Sequence, residues 1–363
     1  MYNDRQSRPV LLTTLVCSGC LVFLIYCVSV TRSLVLMGCA WLTVFAILSL
    51  VAALVSVGVR RRQPSSLFTF GLARAPVLAV FASTVLAQLA ALFLVKESVE
   101  RLLEGDEHKH PSGLVIPGAL AALLAQLLAA YGVRNDPLNQ VLTAASSSWL
   151  QEHTADFSHA VCRVVPGLSR FLLPRLNSLS LLAVCGGLSC FLTHRLLEHG
   201  GLWWADAVGA LCLSAAVLGS MWPLSAYTGR ILLQTSPPHV LAQLERCLRE
   251  ASTLDGVLEL TAGHFWQLDF GRMTGTVNVR VRRDADEQLV LAHVTDRLSA
   301  VVTDLTVQVV KDADFETLAG GYQHDQGHGH SHQHDQHCDS HGHGDGQAHG
   351  HSHGGGHGHS HDH

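Results

Sequence analysis

Phe70–Leu103 reads FGLARAPVLAVFASTVLAQLAALFLVKESVERLL, and its centre, Val77–Val95, runs nineteen residues without a charge. At 1.5 Å of rise per residue that is roughly 28 Å of helix, the thickness of a bilayer's hydrocarbon core. Three polar residues interrupt it: Ser83, Thr84 and Gln88. A hydroxyl in a helix can return to the backbone carbonyl a turn earlier, and an amide can bond a neighbouring helix. Arg74 marks one end of the run; Lys96, Glu97, Glu100 and Arg101 mark the other. The stretch therefore predicts a membrane-spanning helix, and it sets the template for the rest of the chain.

Five more uncharged runs fit that template: Val10–Thr31, Ser33–Val59, Pro111–Val133, Leu176–Thr193 and Ala207–Gly229. Only 15% of the 363 residues are charged, against about 25% in a soluble protein. A net charge of −5 leaves no basic footprint for nucleic acid. Of ten cysteines, seven lie in the apolar runs, which argues for packing rather than a disulfide scaffold. One soft-ligand alternative is a thiolate site from Cys39, Cys185 and Cys212. No nucleophile–base set or phosphate loop appears, so no enzymatic activity is expected.

Orientation follows from Lys and Arg in the connecting loops. Arg5, Arg8, Arg60, Arg61, Arg62, Arg74, Arg134, Arg163, Arg170, Arg175 and Arg230 fall on one side. On the other, Arg32, Lys96, Arg101, Lys109 and Arg195 are diluted by acids. Both termini are thus expected in the cytosol. Asn135–Arg175 reads as a cytosolic amphipathic loop on the membrane surface, with Phe157–Leu173 as an alternative point of entry into the bilayer.

After residue 230 the pattern changes. Pro237–Glu250 has helical spacing behind a proline, Val257–Thr261 and Thr276–Arg282 alternate as strands, Glu287–Val302 is an amphipathic helix and Leu305–Val310 a last strand. In the second helix Leu289, Leu291, Val294, Leu298 and Val301 are expected to pack. The order αββαβ gives a small cytosolic α+β two-layer domain. His324–His363 holds fifteen histidines in forty residues among Gly, Ser, Gln and Asp, a composition expected to be disordered. The expected organisation is a six-transmembrane-helix bundle over 1–230, the αββαβ domain over 231–315 and a His-rich tail over 316–363.

Several phrases in this order resemble the cation diffusion facilitator family of zinc transporters. They are the Phe68-Thr69-Phe70-Gly71 entry to span three with its Lys96-Glu97-Ser98 exit, Leu232-Leu233-Gln234-Thr235-Ser236-Pro237-Pro238-His239 after span six, Asp255-Gly256-Val257, His264-Phe265-Trp266-Gln267-Leu268, and Asp284-Ala285-Asp286-Glu287-Gln288. The resemblance implies a zinc site at mid-membrane, with a His and an Asp four apart on span two meeting the same pair on span five. Such spacing places both side chains on one helix face, and two faces complete a tetrahedral set. The positions that correspond here are Leu42, Ala46, Leu179 and Ala183. No His, Asp or Glu occurs in any of the six uncharged runs. An unligated Zn²⁺ in hydrocarbon would face a cost on the order of tens of kcal/mol.

Where the family carries His in its cytosolic domain, this chain has Thr261 and Asn278; His239 and His264 remain as candidate ligands. In the tail, His328, His330, His332, His334, His351, His353, His357 and His359 offer flexible imidazoles for weak Zn²⁺ binding. Glu152, His153 and Asp156 are a further candidate set. The resemblance implies a transport-silent subunit in Golgi and trans-Golgi membranes, requiring no cofactor of its own. Its expected partner is a transport-competent zinc transporter 5-like paralogue that exchanges zinc for protons. The alternatives are an autonomous transporter with an unusual site and a membrane-tethered zinc buffer or sensor.

Overall fold

The computed structural model describes residues 7–59, 62–105, 112–145, 178–200 and 202–312. The first helices are α1 (Ser7–Thr31) and α2 (Leu34–Val59). The two-residue link between them works because Arg32 adopts a left-handed backbone (φ 50°), which reverses the chain at once. Helix α3 (Ala75–Glu104) carries Pro76 in its first turn, where a missing N–H costs nothing, and stops at Gly105 in the left-handed conformation. Ser83 and Thr84 return their hydroxyls to Val80 O and Phe81 O, and Gln88 Nε2 donates to Ser225 Oγ at 2.8 Å. These are the roles expected of the three polar residues.

A short 3₁₀ turn leads into α4 (Val115–Tyr131), followed by α5 (Asp136–Ala145), α6 (Ser178–Gly200) and α7 (Ala205–Leu232). Five helices are long and apolar enough to cross a membrane; the α4–α5 pair, bent by 89°, makes six if counted as one span. The bend departs from the expected surface loop. Asn135 fixes it by donating Nδ2 to Ser49 O of α2 and accepting from Leu138 N. The apolar face of α5, with Leu138, Val141 and Leu142, then packs onto the bundle core instead of lying in lipid. Residues 146–177, including the Phe157–Leu173 alternative, lie outside the described residues.

Helix α3 packs along α7 and α2, while α4 packs against α1 and α6. Gly38 permits a close approach: a Cβ there would meet Leu213 and Leu94 side-chain carbons at 2.8 Å. In a membrane such contacts carry the packing energy, because lipid tails are as apolar as leucine.

The C-terminal domain runs α8 (Pro238–Ser252), β1 (Val257–Gln267), β2 (Met273–Val281), α9 (Glu287–Ser299) and β3 (Asp304–Lys311). Its sheet has the order β1-β2-β3, with β1–β2 antiparallel and β2–β3 parallel. The helices share one core with the strands: Leu244, Val277, Val279, Val281, Val290, Val294 and Leu298. Gly256 enters β1 at φ 89°, where a Cβ would also meet Ala285 at 2.9 Å. Asp286 caps α9 by accepting from Gln288 N and Leu289 N. Leu289 is exposed, correcting the expected packing face; the buried stripe is Val290, Val294 and Leu298. Strand β1 also runs six residues past its expected end at Thr261.

Candidate functional site

Leu42, Ala46, Leu179 and Ala183 come together. Helices α2 and α6 lie against each other, and all four positions line one cavity of about 40 Å³, shared with Phe45, Leu182 and small residues of α4. The i, i+4 pairs therefore face each other across the bundle, the arrangement that a tetrahedral site needs. What they present to the cavity is hydrocarbon only. The polar residues in its wall are engaged elsewhere: Ser49 Oγ donates to Ala46 O, and Gln126 Nε2 donates to Cys39 O at 3.2 Å and Thr43 Oγ1 at 3.4 Å. Among the described residues no group of three or more His, Cys, Asp or Glu could hold a metal ion.

The thiol set divides differently from expectation. Cys39 Sγ lies 3.5 Å from Cys190 Sγ, both buried, whereas Cys185 and Cys212 are exposed on the outside of the bundle. Cys190 is seven residues from Ala183, two turns along the same helix, which puts it on the face that meets α2. Apolar composition alone cannot distinguish that face from the lipid-facing one, so Cys185 and Cys212 looked equivalent.

Two ionisable residues just beyond the uncharged runs are buried as well. Asp206 is 6% exposed and accepts from Ser33 Oγ at 2.7 Å, Leu34 N at 2.6 Å and Val35 N at 3.3 Å. It thereby caps the N-terminus of α2 from another helix, where the helix dipole favours an anion. Arg101 Nη1 completes the cluster, 3.3 Å from Asp206 Oδ2 and 2.9 Å from Arg32 O. His194, also 6% exposed, sets Nε2 3.4 Å from Glu198, while its buried Nδ1 finds no hydrogen-bond partner among the described residues. The signal that marked both residues was their place, one position outside an apolar run that the helix extends past.

In the C-terminal domain Thr261 and Asn278 are direct partners across β1 and β2, and His264 is next in the ladder opposite Thr276. Between them Ala262 at φ 49° makes a bulge. His264 is exposed and lies against Trp266, ring centroids 4.7 Å apart; Trp266 meets Phe70 edge-on at 6.5 Å. No other histidine stands beside His264 in its ladder. His239 falls in the first turn of α8, but its side chain lies outside the described residues, as do Glu152, His153, Asp156 and the tail residues His328, His330, His332, His334, His351, His353, His357 and His359.

Residues 10–233 match the family model of the cation efflux transmembrane domain, which covers the bundle from α1 through α7. The chain belongs to the cation efflux family. Its similarity to individual members reaches into the C-terminal domain. It is 47% identical over 309 residues to zinc transporter 6-A of Xenopus laevis, covering 85% of this chain and 66% of that protein. It is 47% identical to zinc transporter 6 of Gallus gallus over 309 residues and to zinc transporter 6 of Homo sapiens over 312, each covering 85% of this chain and 67% of the relative. This cation efflux chain thus spans about two thirds of the length of the relatives it matches. It is a multi-pass membrane protein, with the cavity of Leu42, Ala46, Leu179 and Ala183 enclosed by the family's bundle.

Proposed function

We propose that this protein is the transport-silent subunit of a heterodimeric zinc transporter. One observation carries the reading: the two helix faces that would have to ligate the cargo meet around one cavity and offer only the side chains of Leu42, Ala46, Leu179 and Ala183. Zinc needs nitrogen, sulfur or carboxylate donors to replace its water. The names of the similar proteins support zinc as the cargo of the assembly.

The partner is a transport-competent zinc transporter 5-like paralogue in the Golgi and trans-Golgi network. It carries Zn²⁺ from the cytosol to the lumen in exchange for protons. This chain supplies a matching bundle and α+β domain, with both termini in the cytosol, and its tail holds zinc weakly. Reconstitution tests the proposal. In proteoliposomes the purified chain is expected to move no zinc, and co-reconstitution with the partner is expected to give flux. Flux from this chain alone ends the reading. Loss of such flux on substituting Glu152, His153 and Asp156 would establish an autonomous transporter instead. A zinc effect that vanishes on deleting Gln323–His363 would establish a tethered buffer.

A further inference from the structure

A second polar feature lies where the spanning helices end and the α+β domain begins. A cavity of about 360 Å³ is walled by the last turn of α2 (Val59), the α2–α3 loop (Arg62, Phe70), α5 (Gln140) and the β1–β2 turn (Phe270, Arg272). It adjoins another of about 490 Å³ that shares Gln140, Phe270 and Arg272 and adds Tyr227.

We propose that this double cavity binds a phosphate-bearing anion, supplied by the headgroup of an anionic phospholipid or by a soluble phosphate compound. Arg62 is exposed, and its guanidinium pairs with no acid among the described residues. Arg272 uses Nη2 for Asp304 at 2.7 Å and has further N–H groups to offer. Arg74, next in sequence to the wall residue Ala73, keeps a buried Nε with no hydrogen-bond partner among the described residues. The one carboxylate in the wall, Asp269, already accepts from Gly271 N and Arg272 N at 3.0 Å. Guanidinium groups match phosphate oxygens in geometry as well as charge.

Depth favours the lipid source. The wall begins at the end of α2 and the start of α3, the level of the headgroups, and Arg60 and Arg61 precede Arg62 in sequence. On the same loop Leu67 is 82% exposed and Phe68 and Phe70 are about half exposed, which gives acyl chains an apolar rim. The proposal is independent of the transport reading, since neither the 42/46/179/183 cavity nor a partner enters it.

The test uses the full chain in phosphatidylcholine nanodiscs. One arm adds phosphatidylinositol 4-phosphate, the other inositol 1,4-bisphosphate, with binding read by native mass spectrometry and by thermal shift. Binding in the lipid arm is expected to weaken about tenfold in Arg62→Gln and to be partly kept in Arg62→Lys. It is expected to be unchanged in Arg297→Gln, on the exposed face of α9. Equal, Arg62-dependent binding in the soluble arm assigns the site to a free phosphate compound. No binding in either arm, or equal loss in Arg62→Gln and Arg297→Gln, overturns the proposal. Unfolding curves without ligand show whether Arg62→Gln folds. If it does not, the same comparison between Arg62→Lys and the natural chain decides.

Discussion

Two buried meeting points of helices in the bundle are chemical opposites. At the cavity between α2 and α6 the side chains are Leu42, Ala46, Leu179 and Ala183, with no polar atom among the four. At the start of the same α2, buried Asp206 pairs with half-buried Arg101, and their acceptors and donors are met by Ser33, Leu34, Val35 and Arg32. Burying a charge is costly in either place. It is retained where it ties α2, α3 and α7 together, and absent where it would hold a passenger. The difference teaches that the polar chemistry of this bundle serves construction.

The comparison is broken most strongly by installing the missing ligands. The variant L42H/A46D/L179H/A183D is expected to bind zinc at the cavity, with metal–ligand free energy on the order of 10 kcal/mol. Its unfolding temperature should rise with added zinc, while that of the natural chain stays flat. If the variant ignores zinc, the two faces do not form a site. Next in size is Asp206→Ala, which strands Arg101 and two N-terminal amides of α2 and is expected to cost about 3 kcal/mol. Thermal unfolding in detergent checks it, and Asp206→Asn should retain part of the loss. Gly38→Ala forces Leu94 and Leu213 aside and is expected to cost about 1–2 kcal/mol by the same assay. The smallest effect belongs to Gln88→Leu. Removing the bond to Ser225 should cost about 0.6 kcal/mol, the usual worth of one interhelical hydrogen bond in a membrane.

The spans were legible because a charge is expensive in lipid, so their boundaries are written in where charges stop. The αββαβ order was legible from periodicity and from the proline that opens its first helix. Less legible was anything that depends on which side of a uniformly apolar helix faces inward. Cys190 and Cys185 read alike in sequence, yet one meets Cys39 and the other faces outward. The i, i+4 spacing puts Leu42 and Ala46 on one face, but that this face meets Leu179 and Ala183 is a property of the tertiary fold. Strand β1 was cut short because the bulge at Ala262 breaks the alternation that defines a strand. The place of Asp206 just outside an apolar run is legible, but its capping role is not, because its partners are 105 to 173 residues away.

Helix α5 has a mechanical consequence. It is pinned at its start to α2 by Asn135, packs on α2, α3 and α7, and sends Gln140 and Thr143 to the cavities beneath the C-terminal domain. A crossbar bolted to three posts stops any one of them from sliding alone. Tilting of the posts has to pass through the bar to the platform below, so a motion within the membrane is carried to the C-terminal domain.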